Sequence, residues 1–429
     1  MVSTRFLRLV ACALVLAVAG YAAPVRAETT LTLWSMGGDQ PKWVEWINVL
    51  VDRFEKKHPG AKVKVTWYEK MALSAALKTA LRAGQGPDIV YGEPDQSEYA
   101  DAGYLMPLDA VVNWENIEPW ARGAWSSKGS TWGIPISAYT NEIYYNKDLM
   151  KKLGLTIPPS GQVSQSEFLA IVKKSAAAGI TPIALGTGDR PFPGAYLSFE
   201  PLLRKLGPQD YRKLLEGDIS YSDPRVVQVL RWVKEIIDAG ALPKTFSTMT
   251  LTDSYAYFYV KPGGLLFPQG TWYAGRAFAP PEKGGQPADF QLGIMNYPAM
   301  DGGACNECKT LAVGGGYSIN VDTKERASAV AFMNEMATKE MGTLWVASSY
   351  RQSGIKSDAA AISGPYKAYF AELMALNKNA KFSIGIPLDY VKGQCKETFI
   401  QVVNVAFPAG LIGVDETVKR MNAACYKGK

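Results

Sequence analysis

Between residues 31 and 91 the chain switches back and forth between two hydrophobic periods, and that alternation limits its fold more than any other feature. Leu31-Thr32-Leu33-Trp34 alternates as a strand and breaks at Gly37-Gly38. After Pro41, the residues Ile47, Leu50, Val51 and Phe54 fall on one helical face, which His58-Pro59-Gly60 stops. Val63 to Trp67 returns to strand character. Leu73, Leu77, Ala80 and Leu81 then form a second helical stripe, ended by Gly84-Gln85-Gly86-Pro87. Ile89-Val90-Tyr91 is a third, short apolar strand. A β-α-β-α-β order predicts the α/β class, with a parallel sheet covered by helices.

The rest of the chain continues in the same idiom. Ile143-Tyr144-Tyr145 reads as a strand, and Phe168-Leu169 with Ile171-Val172 as a helix. At Asp223 the helix signals are complete: an aspartate to cap, Pro224 at the first position, an apolar stripe of Val226, Val229, Leu230, Val233 and Ile237, and Gly240 to end it. Ala329, Phe332, Met333 and Met336 mark a late helix. These stripes are core, and the Pro/Gly-rich stretch from Pro280 to Pro287 is a surface loop.

The first residues follow a different logic. Arg5 and Arg8, an apolar run from Leu9 to Ala19 and small residues up to Ala27 make a secretory leader, with cleavage expected after Ala27. The apolar run is shorter than the roughly 17–25 residues of a spanning helix, which argues against an uncleaved anchor. Almost no apolar segment precedes Cys12, so Leu9-Val10-Ala11-Cys12 is a poor lipidation signal. The chain has 46 basic and 40 acidic residues, and Arg5, Arg8 and Arg26 fall in the leader, so the exported surface is near neutral and unsuited to nucleic acid. A remainder of about 400 residues exceeds what one core organises and predicts two domains.

Four cysteines follow the leader. An even count in an oxidising compartment suggests two disulfides, and three connectivities are open. The favoured one joins Cys305 to Cys308 within a Gly-rich loop and Cys395 to Cys425 near the C-terminus. The rival is a zinc site on Cys305-Asn306-Glu307-Cys308, weakened by the lack of a second C-x-x-C and by a single histidine.

Ligands of open parallel sheets gather beyond the carboxyl ends of the strands. That rule nominates the loops Trp34 to Asp39, Tyr68-Glu69 and Gly92 to Gln96, and with them Trp34, Asp39, Glu69, Glu93, Asp95 and Gln96. Carboxylates and amides pair with hydroxyls, and aromatic faces cover the C–H side of a sugar ring, so the content suits a carbohydrate, although cations and amines also suit the acids. Trp272, after Gln269-Gly270-Thr271, and Tyr317, after Gly314-Gly315-Gly316, are aromatics lodged against turns and are further ligand-facing candidates.

Catalysis is poorly equipped. The sole histidine, His58, sits at a solvated helix end, so histidine-based triads and metal sites lack their parts. Gly314-Gly315-Gly316 lacks the lysine and Ser/Thr of a phosphate loop. Paired carboxylates such as Glu93 and Asp95 keep a secreted glycoside hydrolase as the alternative.

Four segments together resemble family 1 extracellular solute-binding proteins, the group that includes maltose-binding protein. They are Leu31 to Trp34 with Phe54-Glu55-Lys56-Lys57-His58-Pro59-Gly60; Ala83-Gly84-Gln85-Gly86-Pro87-Asp88-Ile89-Val90; Ile134-Pro135 with Tyr144-Tyr145-Asn146-Lys147-Asp148-Leu149; and Gly314 to Ile319 leading into the Ala329 to Met336 helix. The resemblance implies a two-lobed periplasmic-binding-protein fold of type II, with discontinuous lobes joined by hinge crossovers near Ile136 to Asn141 and Ala312 to Tyr317. The lobes would comprise 28–137 with 316–350 and 138–315 with 351–429. It implies a monomer without cofactor that binds a small carbohydrate in the cleft and delivers it to an ABC permease. By its pattern Asp95 keeps the family's site acid, Trp272 its stacking tryptophan and Asp39 the first-loop acid, whereas Gly92 and Gln96 replace an aromatic and an arginine, and Tyr139 a glutamate. Asp189 and Arg190 are added from a Gly-rich loop, and Arg190 or Arg351 offers a partner for an anion, which keeps polyols, sugar phosphates and organic acids open.

Overall fold

The computed structural model describes residues 29–189, 192–260, 263–358, 362–363 and 366–428. The leader, its cleavage after Ala27, and Arg190 lie outside them. Two sheets organise the chain. In the first, Thr29–Met36 lies between Ala61–Tyr68 and Ile89–Gly92, parallel to both. Helix Pro41–Lys57 turns Trp43, Trp46, Ile47, Leu50 and Phe54 inward, and helix Lys70–Arg82 buries Leu73, Leu77 and Leu81. These are the stripes that the 3.6-residue period predicts.

The sheet is not purely parallel, contrary to the sequence expectation. Gly316–Ile319, from more than two hundred residues further on, adds antiparallel to Ile89–Gly92, and Ile134–Pro135 pairs with it. Local periodicity sees a strand but not the distant one that completes its sheet. The chain's late helices follow this strand home: Phe332 and Trp345 meet Phe54 and Trp46 edge-on at 5.3 and 5.4 Å, close enough to add to simple burial.

The second sheet is built on Ala138–Asn146, a strand buried along most of its length. Gly264–Gly270 flanks it on one side and Cys308–Val313 and Leu292–Met295 on the other, with Thr181–Ile183 and Lys381–Ile384 at the edges. Its interior holds ionic pairs, Lys309–Glu142 at 2.8 Å and Arg204–Glu200 at 3.1 Å, all four side chains essentially buried. Removing one partner of such a pair strands a buried charge.

The chain passes from one sheet to the other at 136–137 and returns at 314–315. Gly314 N donates to Ser137 O at 2.7 Å, and Ala138 N donates to Gln352 O at 2.9 Å, so a third passage beside Gln352 is laced to the first two. Elsewhere the local signals match the structure: Asp223 accepts from Arg225 N at 2.9 Å ahead of helix Pro224–Asp238, and Asn146 accepts from Leu149 N at the head of Lys147–Lys152.

Cys305 is bonded to Cys308 and Cys395 to Cys425. All four cysteines are thereby used, which removes the zinc alternative. No helix among the described residues is long and apolar enough to cross a membrane.

Candidate functional site

A cleft of about 720 Å³ opens between the two sheets, with the passages at 136–137 and 314–315 as its floor. Three loops beyond the carboxyl ends of the first sheet's strands form one wall: Gly37 to Gln40, Tyr68 to Met71, and Glu93 to Gln96. The facing wall holds Tyr139, Tyr196, Tyr255, Trp272, Arg276 and Asp389.

Of the residues nominated from sequence, Asp39, Glu69, Glu93, Asp95, Gln96, Tyr139, Trp272 and Arg351 line this cleft. Their local settings differ. Glu69 caps helix Lys70–Arg82, accepting from Met71 N at 2.8 Å and Ala72 N at 3.2 Å. Both oxygens of Glu93 take a bond from Lys70 Nζ at 2.7 Å, and Tyr91 donates its hydroxyl to one of them at 3.0 Å. Gln96 accepts from Glu93 N and donates to Ser74, which fixes the loop. Asp95 is reached from across the cleft by Lys396 Nζ at 3.4 Å.

Trp272 stands edge-on to Tyr139, ring centres 4.4 Å apart. Gly270 makes this arrangement possible, since a Cβ there would fall 1.9 Å from the indole. Asp39 pairs with Arg276 at 2.5 Å. Arg351 donates to Gln40 Oε1 at 2.6 Å and lies over Trp43 and Trp345 at 5.5 and 6.0 Å, within cation–π range.

Trp34, Tyr317 and Asp189 are placed elsewhere. The first strand runs to Met36, so Trp34 lies within it and packs on Tyr68 at 5.0 Å; the loop starts at Gly37, three residues after the Trp34 start expected from the strand-end rule. Tyr317 is fully buried beneath the floor, where its hydroxyl meets Ser35 Oγ at 2.6 Å and accepts from Trp43 Nε1 at 3.3 Å. Its glycines serve packing: a Cβ on Gly315 would fall 2.0 Å from the Tyr91 hydroxyl. Asp189 accepts from Leu251 N at 2.7 Å, at the head of helix Leu251–Tyr259.

Asp389, Gln40, Tyr91, Tyr196, Tyr255 and Arg276 also line the cleft, and no local sequence signal marks them. Asp389 is the most consequential. It sits on the four-residue helix Pro387–Tyr390, accepts from Ile386 N at 2.8 Å and brings a third carboxylate to Glu93 and Asp95 from the opposite wall. Burial, reinforced by Asp95 and Glu93, pushes its pKa up to about 7, against the pull of the Ile386 amide and Lys392. Burial, then the Glu93 charge, also raises Asp95. Burial lowers Arg351 to about 10, and neighbouring Arg276 adds to that.

The arrangement is built to hold, not to react. Carboxylates and amides on one wall face ring surfaces on the other, which is the equipment for a polar ligand with apolar faces. Glu93, gripped through both oxygens by Lys70, is poorly placed as a nucleophile or proton donor, so the pair of carboxylates offered for glycoside hydrolysis lacks a free member there.

Two sheet-centred lobes, laced by three chain passages around a polar and aromatic cleft, define a ligand-capturing protein of the two-lobed binding type. The chain belongs to the bacterial extracellular solute-binding protein family, whose model matches residues 37–343, a solute-binding family and not a catalytic one. An uncharacterized ABC transporter extracellular-binding protein of Pyrococcus horikoshii is 30% identical over 255 residues, 54% of this chain and 56% of that one. The multiple sugar-binding protein of Streptococcus mutans is 24% identical over 299 residues, 67% of each. The matches therefore span about half to two thirds of these relatives' lengths. Among solved structures, a chitin oligosaccharide binding protein superposes with a TM-score of 0.80 at 21% identity, covering 92% of this chain and 98% of the other. At that identity the likeness establishes the two-lobed α/β fold.

Proposed function

We propose that this chain is the extracytoplasmic receptor of an ABC importer, capturing a saccharide between its lobes and handing it to the membrane permease. The observation that carries the reading is the pairing of walls: the edge-to-face rings of Tyr139 and Trp272 line the cleft opposite the carboxylates of Glu93 and Asp95, with Asp389 beside them. A pyranose offers the complementary surface, hydroxyls around its rim and C–H groups on its face. The multiple sugar-binding relative supports the same ligand class.

On this reading the leader directs the chain to the periplasm and is removed after Ala27. The receptor is a monomer whose lobes comprise 28–137 with 316–350, and 138–315 with 351–429. The hinge is the bundle of passages at 136–137, 314–315 and beside Gln352, and ligand shifts it toward a closed form that the permease recognises. Asp39, Glu69, Glu93, Asp95 and Gln96 hold the ligand from one side, and Tyr139, Trp272 and Asp389 from the other.

A thermal-shift screen of mono- and oligosaccharides, polyols, sugar phosphates and organic acids tests it. A ligand bound only by the folded state raises the melting temperature, by an amount that grows with ligand concentration. The reading requires saccharides among the stabilising compounds. Stabilisation by organic acids alone would contradict it.

A further inference from the structure

The ionic groups of the cleft are mostly matched within the protein. Glu93 is held by Lys70, Asp95 by Lys396, and Glu69 caps a helix. Arg351 is the exception among the cations. It is 8% exposed, lines the cleft, and forms no ion pair among the described residues. Among the described residues its one side-chain hydrogen-bond acceptor is the neutral amide of Gln40, and its buried Nε has no partner among them. The groups near enough to favour its charge are the phenols of Tyr255 and Tyr91 and, more weakly, the carboxylate of Asp39, which is already bonded to Arg276, a second guanidinium that repels Arg351. Two guanidiniums thus share one carboxylate, which leaves this side of the cleft one positive charge in surplus.

The surroundings add to that surplus. Helix Pro41–Lys57 begins here, and Gln40 at its N-cap spends its side chain on Arg351 instead of capping. No acidic residue lies in the first turn, so Asp39, just before the cap and already bonded to Arg276, is the one negative charge the sequence places at the positive end of the helix. A desolvated guanidinium without a counter-ion is costly, and the planar fork is shaped for a carboxylate.

We propose that the captured saccharide is acidic, carrying a carboxylate that seats on Arg351 with Arg276 beside it. This rests on the saccharide reading above and narrows it. The carboxylates of Glu93, Asp95 and Asp389 repel the acid group and accept hydroxyls, so they fix which end of the ligand lies where. Trp272 and Tyr139 bind the ring faces irrespective of charge.

Calorimetric titrations with matched saccharides decide the matter: trigalacturonate against galactotriose, xylotriose with and without a glucuronate branch, and galactose 6-phosphate against galactose. The expected result is that an acidic sugar binds at least about tenfold more tightly than its neutral partner, the scale of one charge-assisted contact. Arg351→Gln should bring the two within about threefold, whereas Trp272→Ala should weaken both alike. Arg351→Lys, which keeps the charge but not the fork, should retain part of the preference and guards against a folding defect in the glutamine variant. Equal or better binding of the neutral partner in every pair overturns the inference and leaves the saccharide reading intact. A preference for the phosphate alone also overturns it. If no member of any pair binds, this inference falls, and the saccharide reading stands or falls on the thermal-shift screen.

Discussion

The rings of Tyr139 and Trp272 stand at 85° with centres 4.4 Å apart, so two strands of the second sheet present a rigid aromatic corner to the cleft. Tyr139 comes from Ala138–Asn146, and Trp272 follows the end of Gly264–Gly270. Such a corner is formed before any ligand arrives, and little side-chain entropy is lost when a sugar settles on it.

Trp272→Ala removes half of the corner. Binding should weaken by about 1–3 kcal/mol, the scale of a large stacked surface. Titration calorimetry on the variant measures it. Unchanged affinity would take Trp272 out of the site.

Tyr317 yields the opposite pattern. Its hydroxyl joins Ser35 and Trp43 under the cleft floor, so Tyr317→Phe should lower stability by about 1 kcal/mol, the worth of a buried hydrogen bond, and leave affinity alone. Urea unfolding and ligand titration of the same preparation separate the two effects. A loss of affinity without loss of stability would place this tyrosine in the site after all.

Asp389 sets a pH dependence. Its folded pKa, about 7, is raised above the ordinary aspartate range, so the folded state holds a proton that the unfolded chain releases. The stabilising contribution is complete below the unfolded value and fades as pH rises from about 4 to about 7. Asp389→Asn keeps an acceptor for the Ile386 amide and removes the titration. Its melting temperature relative to wild type should therefore be higher at pH 8 than at pH 5. A difference that is flat with pH would show that Asp389 does not titrate in this window.

The disulfides should differ in weight. Cys395–Cys425 spans 30 residues and Cys305–Cys308 only three. Loop-closure entropy assigns about 3–4 kcal/mol to the longer bridge and about 1.5 kcal/mol to the shorter one. Denaturant midpoints of Cys395→Ser/Cys425→Ser and Cys305→Ser/Cys308→Ser should fall in that order. The reverse order would mean that native-state contacts outweigh chain entropy here.

How far the chain could be read in advance depended on range. The first three strands and both helices between them were legible because their core positions repeat within elements of four to seventeen residues, and Asp223-Pro224 announced its helix outright. The loop rule found Glu93, Asp95 and Gln96 because they follow directly on a strand. Asp389 and Arg276 ride on helices of four and five residues, too short to show a period, and join the cleft only through tertiary packing. Tyr255 was hidden differently: it belongs to an apolar helix, and nothing local distinguishes a tyrosine lining a cleft from one filling a core. Tyr317 misled for the same reason in reverse, since its glycines accommodate Tyr91, Trp125 and the backbone and do not form a rim.

The claim that the cleft captures a saccharide without transforming it is tested most directly by calorimetric titration of the mature protein with the sugar that gives the largest thermal shift. The account predicts heats that saturate at one ligand per chain and return to baseline after every injection. A sustained heat flow that scales with added sugar would mean turnover and would contradict it.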